Sequence, residues 1–185
     1  MVAVACIGGC ARHAPSAHAA PGASAAPHTV ASGCLPTHDG YLRARLRGAN
    51  NLDINWQDGD LQCDGGPRPD QRGIRLTFAG PVLREGHRLR FVFGIAGVHG
   101  VGSSHGVPAN VTVIFEGESK LYSTRGDDRC TIDELTQAPM PPAAAASHTL
   151  RVAGRGFCVG PAAAIDGGDD MLLSRFDFAG VMVDE

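Results

Sequence analysis

From Tyr41 onward the chain alternates apolar and polar residues with a period of two. In Tyr41–Arg47, Leu42, Ala44 and Leu46 share one face, while Arg43, Arg45 and Arg47 share the other. That is the pattern of a strand with one buried and one wet face. It recurs with Ile74, Leu76 and Phe78 against Arg75 and Thr77, and with Leu89, Phe91, Phe93 and Ile95 against Arg88 and Arg90. Val111, Val113 and Phe115 repeat it against Thr112 and Glu116. Further strands are expected at 120–124, 130–135, 149–159, 172–178 and 180–183. In Leu52-Asp53-Ile54-Asn55-Trp56 the three apolar side chains share a face, which places Trp56, the only tryptophan, in the core.

Turn chemistry separates these runs. Asp58-Gly59, Gly65-Gly66-Pro67, Glu85-Gly86, Gly117, Gly126-Asp127 and Gly167-Gly168 all favour chain reversal. No long stretch carries helical period and no internal repeat stands out. The expected fold is therefore all-β, an antiparallel β-sandwich of which a jelly roll is one arrangement.

The chain has 185 residues, suited to one domain and a tail. Residues 34–185 form the predicted domain; at roughly 150 residues it is long enough to bury about 70% of its unfolded surface. Residues 10–33 are mostly Ala, Pro, Ser and Gly with almost no large apolar group. Such a segment has too little to bury to offset its ordering entropy, and it is predicted to be a disordered tether. His13, His18 and His28 lie in it as polar filler. The net charge of −3 argues against a nucleic-acid partner, which calls for a basic surplus. No run of eighteen apolar residues is present to cross a bilayer as a helix.

Residues 2–9 read VAVACIGG and precede Cys10. The four residues Ile7-Gly8-Gly9-Cys10 resemble the lipobox of bacterial lipoprotein precursors: an apolar residue, two small residues and a cysteine. The resemblance implies that residues 1–9 are a leader, that Cys6 leaves with it, and that Cys10 carries a lipid anchor in the membrane. With Ala11 after the cysteine, it implies the outer membrane as destination, with the domain in the periplasm or at the cell surface. The resemblance covers these residues alone; the body resembles no recognisable family.

Four cysteines remain in the predicted domain: Cys34, Cys63, Cys130 and Cys158. An even number in an exported chain points to two disulfides, and four cysteines allow three pairings. Joining neighbours in sequence gives Cys34–Cys63 and Cys130–Cys158. No C-x-x-C spacing supports a thiolate zinc site.

Candidate chemistry is sparse. Gly102-Ser103-Ser104-His105-Gly106 matches G-x-S-x-G, with His99 and His105 as nearby bases. A nucleophile elbow needs a strand before the serine and a helix after it, and here a second strand follows. The segment 97–106 therefore reads as a glycine loop between strands. Three acidic groups could offer oxygens to calcium, though none has EF-hand spacing: Asp58, Asp60 and Asp64; Asp127 and Asp128; Asp166, Asp169 and Asp170. Their ordinary role is solvated turn residues. Arg43, Arg45, Arg47, Arg75, Arg88, Arg90 and Arg151 would form a positive face if their strands aligned, or an ordinary wet face paired with acids. Asn110-Val111-Thr112 is a formal glycosylation sequon that carries no weight in a bacterial chain. The leading expectation is a cell-envelope lipoprotein whose domain binds an envelope protein or glycan, or is structural, without catalysis and without a cofactor. The alternatives are a periplasmic hydrolase built on the 97–106 segment and a calcium-dependent glycan-binding module.

Overall fold

The computed structural model describes Met1 and residues 33–83, 86–141 and 148–183. The expected leader and tether, with Cys10 and the three tether histidines, lie outside the described residues save Met1 and Gly33. Eleven strands follow in order: β1 (Tyr41–Gly48), β2 (Leu52–Gln57), β3 (Gln62–Pro67), β4 (Gly73–Ala79), β5 (Arg88–Ala96), β6 (Gly102–Glu116), β7 (Lys120–Ser123), β8 (Cys130–Pro139), β9 (Thr149–Cys158), β10 (Ala163–Ala164) and β11 (Met171–Val183). A 3₁₀ turn spans Asp58–Asp60. None of the described residues forms a helix long and apolar enough to cross a membrane.

The fold is all-β, as the alternation predicts. Nine of its strands follow one antiparallel sheet in the order β2-β1-β11-β9-β8-β6-β5-β4-β3, and off this path β7 pairs with β6 and β10 with β7. The fifteen-residue β6 links the two halves. Its first part, 102–109, pairs with β8, and its later part pairs with β5 and with β7. The sheet curls until β3 and β4 lie against β11. Phe78, Phe91, Phe93, Phe176 and Phe178, all fully buried, fill the space between the halves. Phe93 touches both sides, with ring centroids 5.0 Å from Phe178, 5.1 Å from Phe176 and 5.8 Å from Phe78. Each such ring contributes roughly 1.5–3 kcal/mol by leaving water.

Several expected breaks prove to be close approaches. Gly65-Gly66-Pro67, expected as a turn, is the second half of β3. A Cβ on Gly65 would lie 2.2 Å from the Val181 carbonyl oxygen, so the missing side chain is what lets β3 meet β11. Gly180, expected to open a separate strand 180–183, sits inside the continuous β11, where a Cβ would lie 2.7 Å from the Phe78 ring. The segment 97–106 is a loop only to Val101; Gly102 begins β6 and pairs with Gln137. Trp56 is half-buried, edge-on to Phe91 at 5.8 Å, whereas Leu52 on the same edge strand is exposed, not in the core as the alternation predicts.

The disulfides are Cys34–Cys63 and Cys130–Cys158, the neighbour pairing. The first ties the start of the body to β3; the second joins directly opposed residues of β8 and β9. Beside the first lies Asp58. It is 5% exposed, not a solvated turn residue. Its Oδ1 accepts the backbone N–H groups of Leu35 (2.7 Å), Cys34 (3.1 Å) and Gly40 (3.2 Å), and its Oδ2 lies 3.3 Å from His38 Nδ1. Gly33 and Gly40 leave room for the carboxylate, since a Cβ on either would lie within 2.6 Å of its oxygens. Asp58→Ala strands three N–H donors and is expected to cost about 3 kcal/mol; Asp58→Asn keeps an oxygen there and is expected to cost about 1 kcal/mol. Urea midpoints of the two variants check this, and equal losses would mean that hydrogen-bond acceptance is not the cause.

Candidate functional site

The most chemically varied surface is the outer face of β2-β1-β11-β9-β8. Cross-strand register sets its rows. Arg43 stands opposite Asp177, Asp177 opposite Arg155, Arg155 opposite Glu134, and Glu134 opposite His105. Opposed charges across a ladder attract, so the row alternates favourably. Arg155 contacts Glu134 at 2.6 Å and Arg43 contacts Asp177 at 3.5 Å. Tyr41 donates its hydroxyl to Asp177 at 2.8 Å, and the Arg43 guanidinium lies 4.7 Å over the Tyr41 ring. Partial burial, then the Asp177 hydrogen bond, raises the Tyr41 pKa.

The next row is unbalanced. Arg45 stands directly opposite Arg175. Asp53 serves both Arg47 (2.8 Å) and Arg45 (3.3 Å). The hydrogen bond from Arg47, with the charges of both arginines, holds the Asp53 carboxyl below the ordinary carboxylate range. Arg175 makes no ion pair among the described residues. Two guanidinium groups thus share one carboxylate, and the third, on Arg175, is left without an acidic partner among the described residues.

Two β-bulges shape this region. In β11 Ser174 is the extra residue between Leu173, opposite Leu46, and Arg175, opposite Arg45. In β8 Asp133 is the extra residue between Ile132 and Glu134, which oppose Gly156 and Arg155 of β9. A bulge shifts the phase of alternation and re-aims side chains. Without the first, Arg175 would share the inward face of Leu173; with it, Arg175 faces out and Phe176 is buried. Between the bulges lies a shallow depression of about 430 Å³ lined by Asp133, Arg155, Phe157, Ser174 and Arg175. A second, of about 390 Å³, adjoins it through Arg175 and includes Arg43, Arg45, Asp53 and Asp177.

The expected arginine set divides. Arg43, Arg45, Arg47 and Arg151 lie on β1 and β9, while Arg75, Arg88 and Arg90 lie on β4 and β5 in the other half of the sheet. Most have acidic partners, so no continuous positive face forms. Arg75 pairs with Asp64 at 3.5 Å and Arg151 with Asp39 at 2.8 Å. Arg90 pairs with Glu116, and Arg88 donates to the Gly80 carbonyl and the Gln62 side chain.

The hydrolase candidates are not brought together. Ser104 lies within β6, so it and its neighbour His105 point to opposite faces. His105 Nδ1 lies 3.3 Å from the Asp133 carbonyl oxygen. His99 sits on the exposed bend before β6. Among the described residues, Ser104 has no hydrogen bond to a histidine or a carboxylate.

The acidic groups serve local roles. Asp60 accepts the Gln57 N–H at 3.1 Å. Asp127 accepts from Arg68 at 2.9 Å and from Asn110 of the sequon, and these bonds, that from Arg68 foremost, lower its pKa. Asp128 lies 3.8 Å from Arg129, and Asp166 accepts the Gly168 N–H at 3.2 Å. Asp169 and Asp170 are exposed. Among the described residues no three His, Cys, Asp or Glu side chains converge as a metal-binding set.

Comparison of the chain with protein-family models, curated proteins and solved structures finds no match. The site rests on its own chemistry. Sequence reasoning passed over Asp133, Phe157, Ser174 and Arg175. The signal for the bulges was nevertheless present. Met171 and Leu173 are out of phase with Phe176 and Phe178, and Ile132 is out of phase with Leu135.

Proposed function

We propose that the chain is an exported lipoprotein, anchored through Cys10, whose β domain is a non-catalytic binding module. The pair of disulfides is the observation that carries this reading, because such bonds persist in oxidising compartments and are rare where thiols are kept reduced. The lipobox resemblance at Ile7-Gly8-Gly9-Cys10 agrees with it. The first disulfide joins Cys34 to β3 and Asp58 holds Leu35 and Gly40, so a tether arriving at Gly33 would meet a braced attachment point. The binding face in this reading is the bulged outer surface of β2-β1-β11-β9-β8, with an envelope glycan or protein as the partner, and Ala11 after the lipobox cysteine supports the outer membrane as the attachment.

Mass spectrometry of the protein purified from its source bacterium tests the reading. The expected product begins at Cys10, carries the mass of a diacylglyceryl and a further acyl group, and has its four remaining cysteines oxidised. An intact Met1 with every thiol reduced would overturn it.

A further inference from the structure

Phe157 is an aromatic residue on a wet sheet face, 37% exposed, in a chain whose other phenylalanines are mostly buried. It lines the depression between the two bulges together with Arg155 and Arg175. Aromatic faces attract the C–H surface of a sugar ring, and guanidinium groups bind carboxylate and phosphate through paired N–H donors. The local charge fits such a ligand. Arg45 and Arg175 are directly opposed like charges, a destabilising arrangement on a ladder unless an anion joins them; of the carboxylates nearby, Asp53 is shared by Arg45 and Arg47, Asp177 pairs with Arg43, and Asp133 makes no ion pair with Arg175. The bulge at Ser174 is what turns Arg175 outward, and the depression has the volume of a small-ligand site.

We propose that this depression binds an acidic sugar residue of an envelope glycan, with the ring on Phe157 and the oxyanion on Arg175, supported by Arg45. This deepens the binding-module reading and rests on it. Asp133 on the rim opposes an incoming anion and limits affinity. Since a carboxylate and a phosphate satisfy the same guanidinium, the source is decided by experiment.

The full-length protein is titrated with a galacturonate oligomer, glucose 6-phosphate, maltohexaose and inorganic phosphate, followed by NMR chemical shifts. One or both acidic sugars are expected to bind, and the tighter one identifies the source. Arg175→Ala and Phe157→Ala are expected to weaken binding at least tenfold, Asp133→Asn to tighten it a few-fold, and Arg75→Ala, on the other half of the sheet, to leave it unchanged. Added salt is expected to weaken it, as for any exposed ion contact. Unchanged melting temperatures of these surface variants establish that the fold is intact. The proposal is overturned if neither acidic sugar binds, if maltohexaose binds equally, if inorganic phosphate alone binds as tightly, or if Arg175→Ala has no effect. None of those outcomes touches the lipid at Cys10 or the oxidation of the cysteines, so failure here is distinguishable from failure of the exported-lipoprotein reading.

Discussion

Replacing all four body cysteines by alanine is expected to cost about 7 kcal/mol and to leave the domain largely unfolded at 37 °C. The two bonds span sequence separations of 29 and 28 residues. On the chain-entropy account, closing a loop of that length removes about 3–4 kcal/mol of freedom from the unfolded chain per bond. A domain of this size has roughly 5–15 kcal/mol in total, so the loss decides whether it folds. The loops do not overlap in sequence, so their constraints should nearly add. Urea titrations of the Cys34→Ala/Cys63→Ala and Cys130→Ala/Cys158→Ala proteins check this, because double replacement leaves no stranded thiol. A midpoint that does not move in either protein would remove the disulfides from the stability account.

Phe93→Ala is the other large effect expected, about 4 kcal/mol, from lost burial and from the cavity left behind. Phe93 is fully buried and is ringed by Phe78, Phe91, Phe176 and Phe178. Those residues come from β4, β5 and β11, so the cavity would open where one half of the sheet rests on the other. Phe157→Ala serves as the control, with a change within about 0.5 kcal/mol, because the side chain is partly in water already. Chemical denaturation reads both. Equal losses from the two variants would mean that the sheet halves are not held together through Phe93.

The site was legible in part. The alternating arginines of β1 are read straight off Tyr41–Arg47, because side-chain direction in a strand follows from period two alone. Arg175 was not, because strict alternation assigns it to the inward face of Leu173, and only the extra residue Ser174 reverses that. Phe157 was missed because an exposed phenylalanine in an alternating run looks like a core position until its neighbours are known. Asp58 was misread for the opposite reason: Asp-Gly is ordinarily a wet turn, and its burial comes from Leu35 and Gly40, residues more than seventeen positions away whose N–H groups converge on it.

By itself the sequence determined what is local. Period-two alternation set most of the strands and their inward residues, glycine and aspartate set most of the turns, and the even cysteine count pointed to two disulfides, whose pairing among three possibilities the fold decided. The tertiary structure decided what depends on distant partners. It made Gly65 a point of contact instead of a turn and Gly180 one inside a continuous strand, because Val181 and Phe78 come too close to allow a side chain. It also set where the sheet curls and which charges meet across strands. The physical reason is range. A residue's own backbone preference is written in its immediate neighbours, whereas steric clearance and charge pairing depend on chain segments that only folding brings together.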